Sequence, residues 1–167
     1  VLRRARFLAA WGIVLALSAA AERLPLKVFD SSQGLAGDAV RALFRDSRGF
    51  LWIGTSSGLS RFDGQRFRNY DTGDGLPSPR VTDVAESPDG TIWVTTELGL
   101  ARLDAHADRG SGPFVAEPLP LQRAAANCVI VDRAGIVWVG GVRPVRLDPR
   151  ATGAARSRVV ELPAGNT

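Results

Sequence analysis

The 167-residue chain carries 21 basic and 17 acidic residues, with a net charge of +4 and an isoelectric point near 10.5. Three of the basic residues, Arg3, Arg4 and Arg6, lie at its start, and the remaining 18 nearly balance the acidic ones. This near-neutral body, without runs of basic residues interleaved with aromatic ones, argues against a nucleic-acid-binding surface. Cys128 is the single cysteine, which excludes an internal disulfide, and its apolar neighbours predict a small buried core residue.

The first 21 residues predict a secretion signal. A positively charged start is followed by an apolar run from Phe7 to Leu17 and by the small residues Ala19–Ala21, which fit a cleavage site before Glu22. The run is shorter than the ~20 residues that cross a bilayer. An uncleaved N-terminal anchor is the alternative interpretation. Both place the rest of the chain outside the cytoplasm, and the expected location is the periplasm.

A repeat occupies the region after this signal. Three similar segments are centred on tryptophans spaced by 41 and 45 residues, each with a glycine three residues earlier. The segments read DSRGFLWIGTSSGLSRFDG, SPDGTIWVTTELGLARLDA and DRAGIVWVGGVRPVRLDPR. Their shared positions are Gly49 and Trp52, Gly90 and Trp93, and Gly135 and Trp138. We interpret these six residues as structural repeat positions.

Each repeat predicts four short strands separated by Gly- and Asp-containing turns. No stretch after Ala21 has the periodicity of a helix. In chain order the predicted strands are Val40–Arg45, Phe50–Thr55, Leu59–Phe62 and Phe67–Tyr70; Val81–Glu86, Thr91–Thr96, Leu100–Leu103 and Phe114–Glu117; and Asn127–Asp132, Ile136–Gly140, Val142–Leu147 and Arg158–Leu162.

A period of about 40–45 residues built from short strands is typical of propeller blades, and a propeller ring uses about 4–8 of them. The sequence therefore predicts an all-β partial β-propeller of about three four-stranded blades, preceded by a signal peptide. The predicted organisation is a signal peptide at 1–21, a ring-closing N-terminal strand at 22–33, blades at 34–74, 75–120 and 121–163, and a truncated linker at 164–167.

The N-terminal strand is predicted from its spacing. Leu26–Phe29 lies eight residues ahead of a Gly-Leu pair, as Phe67–Tyr70 does, so it matches the outer strand of a blade that the chain does not contain. With too few blades for a ring, the chain is expected to be part of a longer protein. Its two end faces should then leave apolar residues partly uncovered, among Leu43, Ile53, Val94 and Val139.

The motif closely resembles the two-component regulator propeller repeat. The first repeat carries it in Asp46, Gly49, Trp52, Gly54, Thr55, Gly58 and Leu59; the second has Ser87 for the Asp and Thr95 for the Gly; the third keeps Asp132, Gly135, Trp138 and Gly140. Proteins with this repeat are bacterial membrane sensors, in which a periplasmic propeller precedes a membrane helix and a cytoplasmic histidine kinase or diguanylate cyclase. The resemblance implies ligand sensing in a two-component-type signalling protein.

The same resemblance implies what the region contacts. The expected partners are a small ligand, with an oligosaccharide as one candidate, and the remaining blades of the parent protein. The membrane is reached only through that protein, and a homodimer is another expectation. We expect no catalytic residue, cofactor or metal in this region. The alternatives are part of a secreted propeller enzyme of the lyase or hydrolase type and a non-catalytic binding or scaffold propeller.

Other candidate residues have simpler structural interpretations. The three tryptophans could form a sugar-binding surface, but a residue repeated in every blade is expected between blades. One turn Asp per blade is too few for a Ca²⁺ site. The Arg-apolar-Asp triplets (Arg61 to Asp63, Arg102 to Asp104, Arg146 to Asp148) predict ion pairs between blades or solvated edges, with an anion-binding channel as the alternative. His106, the single histidine, is expected in a solvated loop.

Overall fold

A computed structural model describes residues 27–103, 112–120 and 126–161. The predicted signal peptide, Leu26, Asp104, His106 and the predicted linker at 164–167 lie outside these residues. The predictions that concern them stay predictions.

The described residues form three antiparallel sheets of four strands, each sheet made from one repeat. In all three sheets each strand pairs with the next strand along the chain. The strands are β1 (Val40–Arg45), β2 (Leu51–Thr55), β3 (Leu59–Phe62) and β4 (Phe67–Tyr70); β5 (Val81–Glu86), β6 (Ile92–Thr96), β7 (Gly99–Leu103) and β8 (Phe114–Glu117); and β9 (Cys128–Val131), β10 (Val137–Gly140), β11 (Val145–Leu147) and β12 (Ser157–Val159).

The propeller fold predicted from the repeat is confirmed, and most strand bounds agree with the prediction within one residue. The largest differences are at β12, which ends at Val159 and not at Leu162, and at β11, which starts at Val145 and not at Val142. Pro144 precedes it, and a proline has no N–H for the ladder, so the strand begins only after this residue. The first strands of the sheets, β1, β5 and β9, lie side by side and form the inner edge of the blades.

Two apolar cores lie between the sheets. The first joins residues of sheet one, such as Trp52 and Tyr70, to Val84 and Val94 of sheet two. The second joins Trp93 and other residues of sheet two to sheet three; its buried members are Ala85, Trp93, Leu100, Ala126, Val129, Val137, Val139, Val145 and Leu147. Because side chains alternate between the two faces of a strand, Val94 faces the first core and Trp93 the second.

The sequence predicts partly uncovered apolar residues on the end faces but leaves open which of the four candidates they are. Leu43 is exposed, and Ile53, Val94 and Val139 are buried. Val94 and Val139 face the preceding sheet, so the inter-sheet cores cover them. The apolar residues that are exposed on the third sheet lie on its opposite side and include Ile130 and Trp138.

Residues 27–30 precede the first sheet without belonging to a strand. The Phe29 ring packs against Phe62 at 5.1 Å and against Phe67 at 5.3 Å. Asp30 then caps a 3-10 turn at Ser31–Gln33. Asp71 caps the 3-10 turn Thr72–Asp74 before the second sheet in the same way. The assignment of 22–33 as a ring-closing strand stays a prediction.

Within the described ranges, the helical segments are short 3-10 turns, and none is long and apolar enough to cross a membrane.

Candidate functional site

The six repeat positions build one local unit three times over. Gly49, Gly90 and Gly135 have φ values of +91°, +83° and +81°, a left-handed conformation that glycine adopts without strain. Each glycine donates its backbone N–H to the carbonyl of the residue three positions earlier, which closes the hairpin turn. The turn leads directly into the strand that carries the tryptophan.

The residue that begins each turn also holds the tryptophan. In the first repeat Trp52 donates its Nε1–H to Asp46 Oδ2 at 2.9 Å. Trp93 donates to Ser87 Oγ at 2.5 Å, and Trp138 donates to Asp132 Oδ2 at 3.2 Å. Every repeat therefore pairs its indole with a side chain six residues earlier, whether that side chain is a carboxylate or a hydroxyl.

The turn carboxylates use their oxygens within the turn. Asp46 Oδ1 accepts from the backbone N–H of Arg48 and of Phe50, and Asp132 Oδ1 accepts from those of Ala134 and Ile136. The bond from the Ile136 N–H and the one from Trp138 hold the pKa of Asp132 below its usual value. These contacts explain the repeated aspartates through turn chemistry. The described residues contain no group of three or more His, Cys, Asp or Glu side chains that could hold a metal.

The three tryptophans differ in burial although their local units agree. Trp52 is 0% exposed and Trp93 1%, whereas Trp138 is 36% exposed. Each of the first two faces the following sheet, and Trp138 faces a side of the third sheet that no described residue covers. The interpretation as inter-blade core therefore describes Trp52 and Trp93, and Trp138 occupies the same position at an open face.

Cys128 lies on that same open face, and the prediction that it is buried is wrong. It pairs with Gly140 across the sheet, and its Sγ occupies the space where a side chain at position 140 would start. The apolar neighbours Val129 and Val131 suggested burial, but Val129 points to the opposite face of β9, towards the second core.

The repeated arginines lie on the third strands and make different contacts in each blade. Arg61 stacks over Phe50 at 4.5 Å, Arg102 pairs with Glu117 at 2.6 Å, and Arg146 pairs with Asp148 at 3.6 Å. Arg146 and Asp148 thus pair within one blade, whereas the predicted ion pairs join neighbouring blades. None of the three arginines lies on the inner strands β1, β5 and β9, which places them away from a channel.

Sequence reasoning missed the ion cluster around Glu117. This carboxylate is almost fully buried and accepts from Arg102 of its own sheet and from Arg156, which precedes β12. Arg156 donates to both oxygens of Glu117 and also to the carbonyl oxygens of Pro149 and Ala151. The cluster fastens the third sheet to the outer strand of the second. Within the described residues it is not repeated in the other blades, so the repeat alignment gives no signal for it.

A cavity of about 340 Å³ opens at the turns that join the first and second strands of the sheets. These turns lie at one end of the inner strands, at a mouth of the propeller. Ser47 bridges two blades here, because its N–H and its Oγ both donate to the Glu86 carboxylate at 2.7 Å. The cavity is lined by Ser47, Glu86, Ser87, Pro88, Val131, Asp132 and Arg133.

Two stretches of the chain, 34–57 and 75–97, match the family model described as "Two component regulator propeller". They cover the start of the first and second repeats, including β1, β2, β5 and β6. No curated protein sequence matches the chain.

Among solved structures, the chain is similar to the extracellular domains of two hybrid two-component systems from B. thetaiotaomicron. The first of these domains superposes with a TM-score of 0.59 at 22% sequence identity, over 72% of this chain and 17% of the domain's chain. The second superposes with a TM-score of 0.58 at 25% sequence identity, over 66% of this chain and 16% of the domain's chain. The chain thus spans about a sixth of the length of these domains.

The chain is also similar to virginiamycin B lyase from Staphylococcus aureus, with a TM-score of 0.59 at 20% identity over 75% of this chain and 42% of the lyase. At these identities the likeness is one of fold.

Proposed function

We propose that this chain, which carries two component regulator propeller repeats, is an extracytoplasmic ligand-sensing region of a bacterial two-component-type signalling protein. The observation that carries the proposal is the match of two stretches to that repeat family, in phase with the first two sheets. The likeness to extracellular domains of hybrid two-component systems supports it. The predicted N-terminal secretion signal is consistent with a periplasmic location.

The cavity at the inner turns is the site at which we propose that a small ligand binds. Its volume of about 340 Å³ lies in the range of small-molecule pockets. Glu86 and the Arg133 guanidinium offer opposite charges, and Ser47 and Ser87 add hydroxyl groups. Such a mixed set of donors and acceptors suits a polyhydroxylated ligand, so oligosaccharides are the first class to test. Ligand binding here would change the contact between Ser47 and Glu86 and thereby the packing of two blades.

Isothermal titration calorimetry of the chain with a panel of soluble oligosaccharides tests this site. We expect saturable binding by at least one of them, weakened about tenfold in Glu86→Gln, which corresponds to the loss of one charge-assisted hydrogen bond of about 1.4 kcal/mol. Glu161→Gln is the matched control, because Glu161 pairs with Arg143 in an exposed contact. Absence of saturable binding by a chain that unfolds cooperatively would contradict ligand sensing at this cavity. Equal affinities of Glu86→Gln and the unaltered chain would contradict the assigned site.

A lyase-type enzyme is the second candidate, since the fold is also similar to virginiamycin B lyase. One solved structure of that lyase contains quinupristin. Incubation of the chain with quinupristin, followed by liquid chromatography and fragmentation mass spectrometry, distinguishes the candidates, because the separation also detects a product of unchanged mass. The sensor proposal predicts unchanged quinupristin, and conversion to another compound would favour the enzyme.

A further inference from the structure

Two arginines of the first blade lie on the side of sheet one that faces sheet two. Arg61 on β3 lies opposite Trp52 on β2 and opposite Arg68 on β4. Residues that lie opposite each other share one face of a sheet, and Trp52 belongs to the core between sheets one and two. Arg48, in the turn before β2, stands over the same aromatic ring as Arg61. We name Arg48, Arg61 and Arg68 the arginine cluster.

Aromatic rings hold the guanidinium groups of the cluster in place. Arg61 lies over the Phe50 ring at 4.5 Å, and Arg48 lies over the same ring at 5.7 Å. Arg68 lies over the Tyr70 ring at 5.2 Å. Such stacking uses the flat face of a guanidinium and leaves the N–H groups around its edge available for hydrogen bonds to an anion.

The carboxylates nearest in sequence do not neutralise the cluster. Asp63, two residues after Arg61, accepts from backbone N–H groups of its own turn. Asp46 Oδ2 lies 3.7 Å from Arg48, but this carboxylate is buried and already accepts from an indole and from two backbone N–H groups. Within the described parts of the chain, the side-chain N–H groups of Arg61 and Arg68 have no hydrogen-bond or ion-pair partner. The cluster therefore keeps its positive charge.

The other blades do not repeat this arrangement. In the second blade the equivalent of Arg61 is Arg102, which pairs with Glu117 and lies opposite Val115. In the third blade the equivalent arginine pairs with Asp148. Like charges that lie directly opposite each other destabilise a sheet. Among the described residues, the first blade alone has this repulsion without a carboxylate that offsets it. The cluster lies at the joint between blades one and two, away from the open faces of sheets one and three.

We propose that the arginine cluster binds a ligand with at least two carboxylate or sulfate groups, such as an acidic oligosaccharide. A guanidinium binds such a group through two parallel N–H···O hydrogen bonds. The guanidinium carbons of Arg48 and Arg61 lie 5.7 Å and 4.5 Å from one ring centre, so they are separated by no more than the sum of these distances. One ligand with two acidic groups can therefore contact both, and its charge offsets the repulsion between Arg61 and Arg68.

The cluster is reachable from solvent. Arg48 and Arg68 are exposed, and Arg61 is half-buried. Because salt screens the attraction between charges at such a surface, the affinity for a polyanion should fall as the ionic strength rises. The site is separate from the cavity at the inner turns, and the proposal is independent of ligand binding there.

Isothermal titration calorimetry of the full chain at low salt tests the proposal with two probes. One is trigalacturonate, an oligosaccharide in which every sugar carries a carboxylate, and the other is citrate, a small polycarboxylate. We expect saturable binding that is weakened about tenfold in Arg61→Gln, because one charge-assisted pair is lost. Arg158→Gln is the matched control, since Arg158 occupies the position of Arg68 in the third blade, and its affinity should be unchanged.

The probes identify the source of the acidic groups. Binding of trigalacturonate alone would support an acidic oligosaccharide, and binding of citrate with the same loss in Arg61→Gln would support a small polyanion at the same site. No saturable binding of either probe would overturn the proposal. Equal affinities of Arg61→Gln and the unaltered chain would do so as well, and so would equally tight binding of the neutral trisaccharide galactotriose.

A variant of the cavity separates this site from the one at the inner turns. Glu86→Gln changes the cavity and leaves the arginine cluster intact, so it should not weaken the binding of trigalacturonate. Weaker binding by Glu86→Gln, with unchanged binding by Arg61→Gln, would place the ligand in the cavity and overturn the assignment to the cluster.

Arg68→Gln adds a measurement that distinguishes a binding residue from a structural one. It removes the repulsion between Arg61 and Arg68, so the midpoint of urea unfolding without ligand should not fall, whereas the affinity for trigalacturonate should fall. Circular dichroism verifies that each variant is folded. A lower midpoint with unchanged affinity would mean that Arg68 stabilises the sheet, and it would overturn the place of Arg68 in the site.

Discussion

Trp52 and Trp138 occupy the same place in their repeats and yet lie in different environments. Both follow a left-handed glycine by three residues, and both donate to an aspartate six residues earlier. Trp52 is fully buried against the second sheet, and Trp138 is about one third exposed at the end of the third. The turn and the hydrogen bond of the indole depend only on residues that are close in sequence. Burial of the indole depends on whether another blade packs against it.

The largest expected difference is in stability after removal of each indole. Trp52→Ala should lower the free energy of unfolding by about 3–5 kcal/mol, because it leaves a cavity between two sheets. Trp138→Ala should cost clearly less in the monomer, since its side chain is already partly in water. Urea unfolding measures both. Equal losses would contradict the difference in burial.

The Glu117 cluster offers a second test, because it fastens the third sheet to the second independently of Trp93. Glu117→Gln leaves Arg156 without its carboxylate and should destabilise the chain by about 2–3 kcal/mol, between exposed and fully buried ion pairs. The control is Glu161→Gln, whose pair with Arg143 is exposed and should contribute less than about 1 kcal/mol. If both variants unfold at the same urea concentration, the cluster does not join the sheets.

Removal of the aspartate that accepts from the indole should also lower the free energy of unfolding more in the first repeat than in the third. Asp46→Ala leaves the buried Trp52 N–H and two backbone N–H groups without their acceptor, at a cost of about 2–3 kcal/mol. Asp132→Ala makes the same change where water can reach the indole, and it should cost less. The urea concentration at the unfolding midpoint compares the stability of the two variants. A larger loss of stability for Asp132→Ala than for Asp46→Ala would contradict this expectation.

The smallest expected effect is a pH dependence at Asp132. Backbone and indole hydrogen bonds lower the pKa of this carboxyl below its ordinary value of 3.8. Its contribution to stability is therefore present above the ordinary pKa and is lost as the pH falls through the lowered one. Asp132→Asn should be less stable than the unaltered chain at neutral pH, and the gap should narrow below about pH 4. A gap that stays constant in acid would show that the charge of Asp132 is not involved.

The fold could be predicted because it depends on short-range patterns. The alternation in Val81–Glu86 and the turn glycine Gly90 are local signals, and the structure contains the strand and the turn that they predict. Burial could not be predicted in the same way. Cys128 was assigned to the wrong environment, and the exposed Leu43 could not be told from the buried Val94, because the sequence of a strand does not say which of its faces meets another sheet.

The contacts outside the repeat were beyond sequence reasoning for a different reason. Glu117 and Arg156 are 39 residues apart and have no counterparts in the other blades, so neither period nor spacing indicates them. The cavity at the inner turns is similarly made of residues from three blades. Ser47, Glu86 and Asp132 each have a local role in their turns, and only the arrangement of the blades brings them together.

Hydrogen exchange of the indole N–H groups of the three repeat tryptophans tests the central claim most directly. NMR of ¹⁵N-labelled tryptophan can follow Trp52, Trp93 and Trp138, each assigned by substitution. We predict strong protection for Trp52 and Trp93, because neighbouring sheets cover them, and rapid exchange for Trp138. Equal protection of all three would contradict the account, since it would mean that the third sheet is covered as well as the first two.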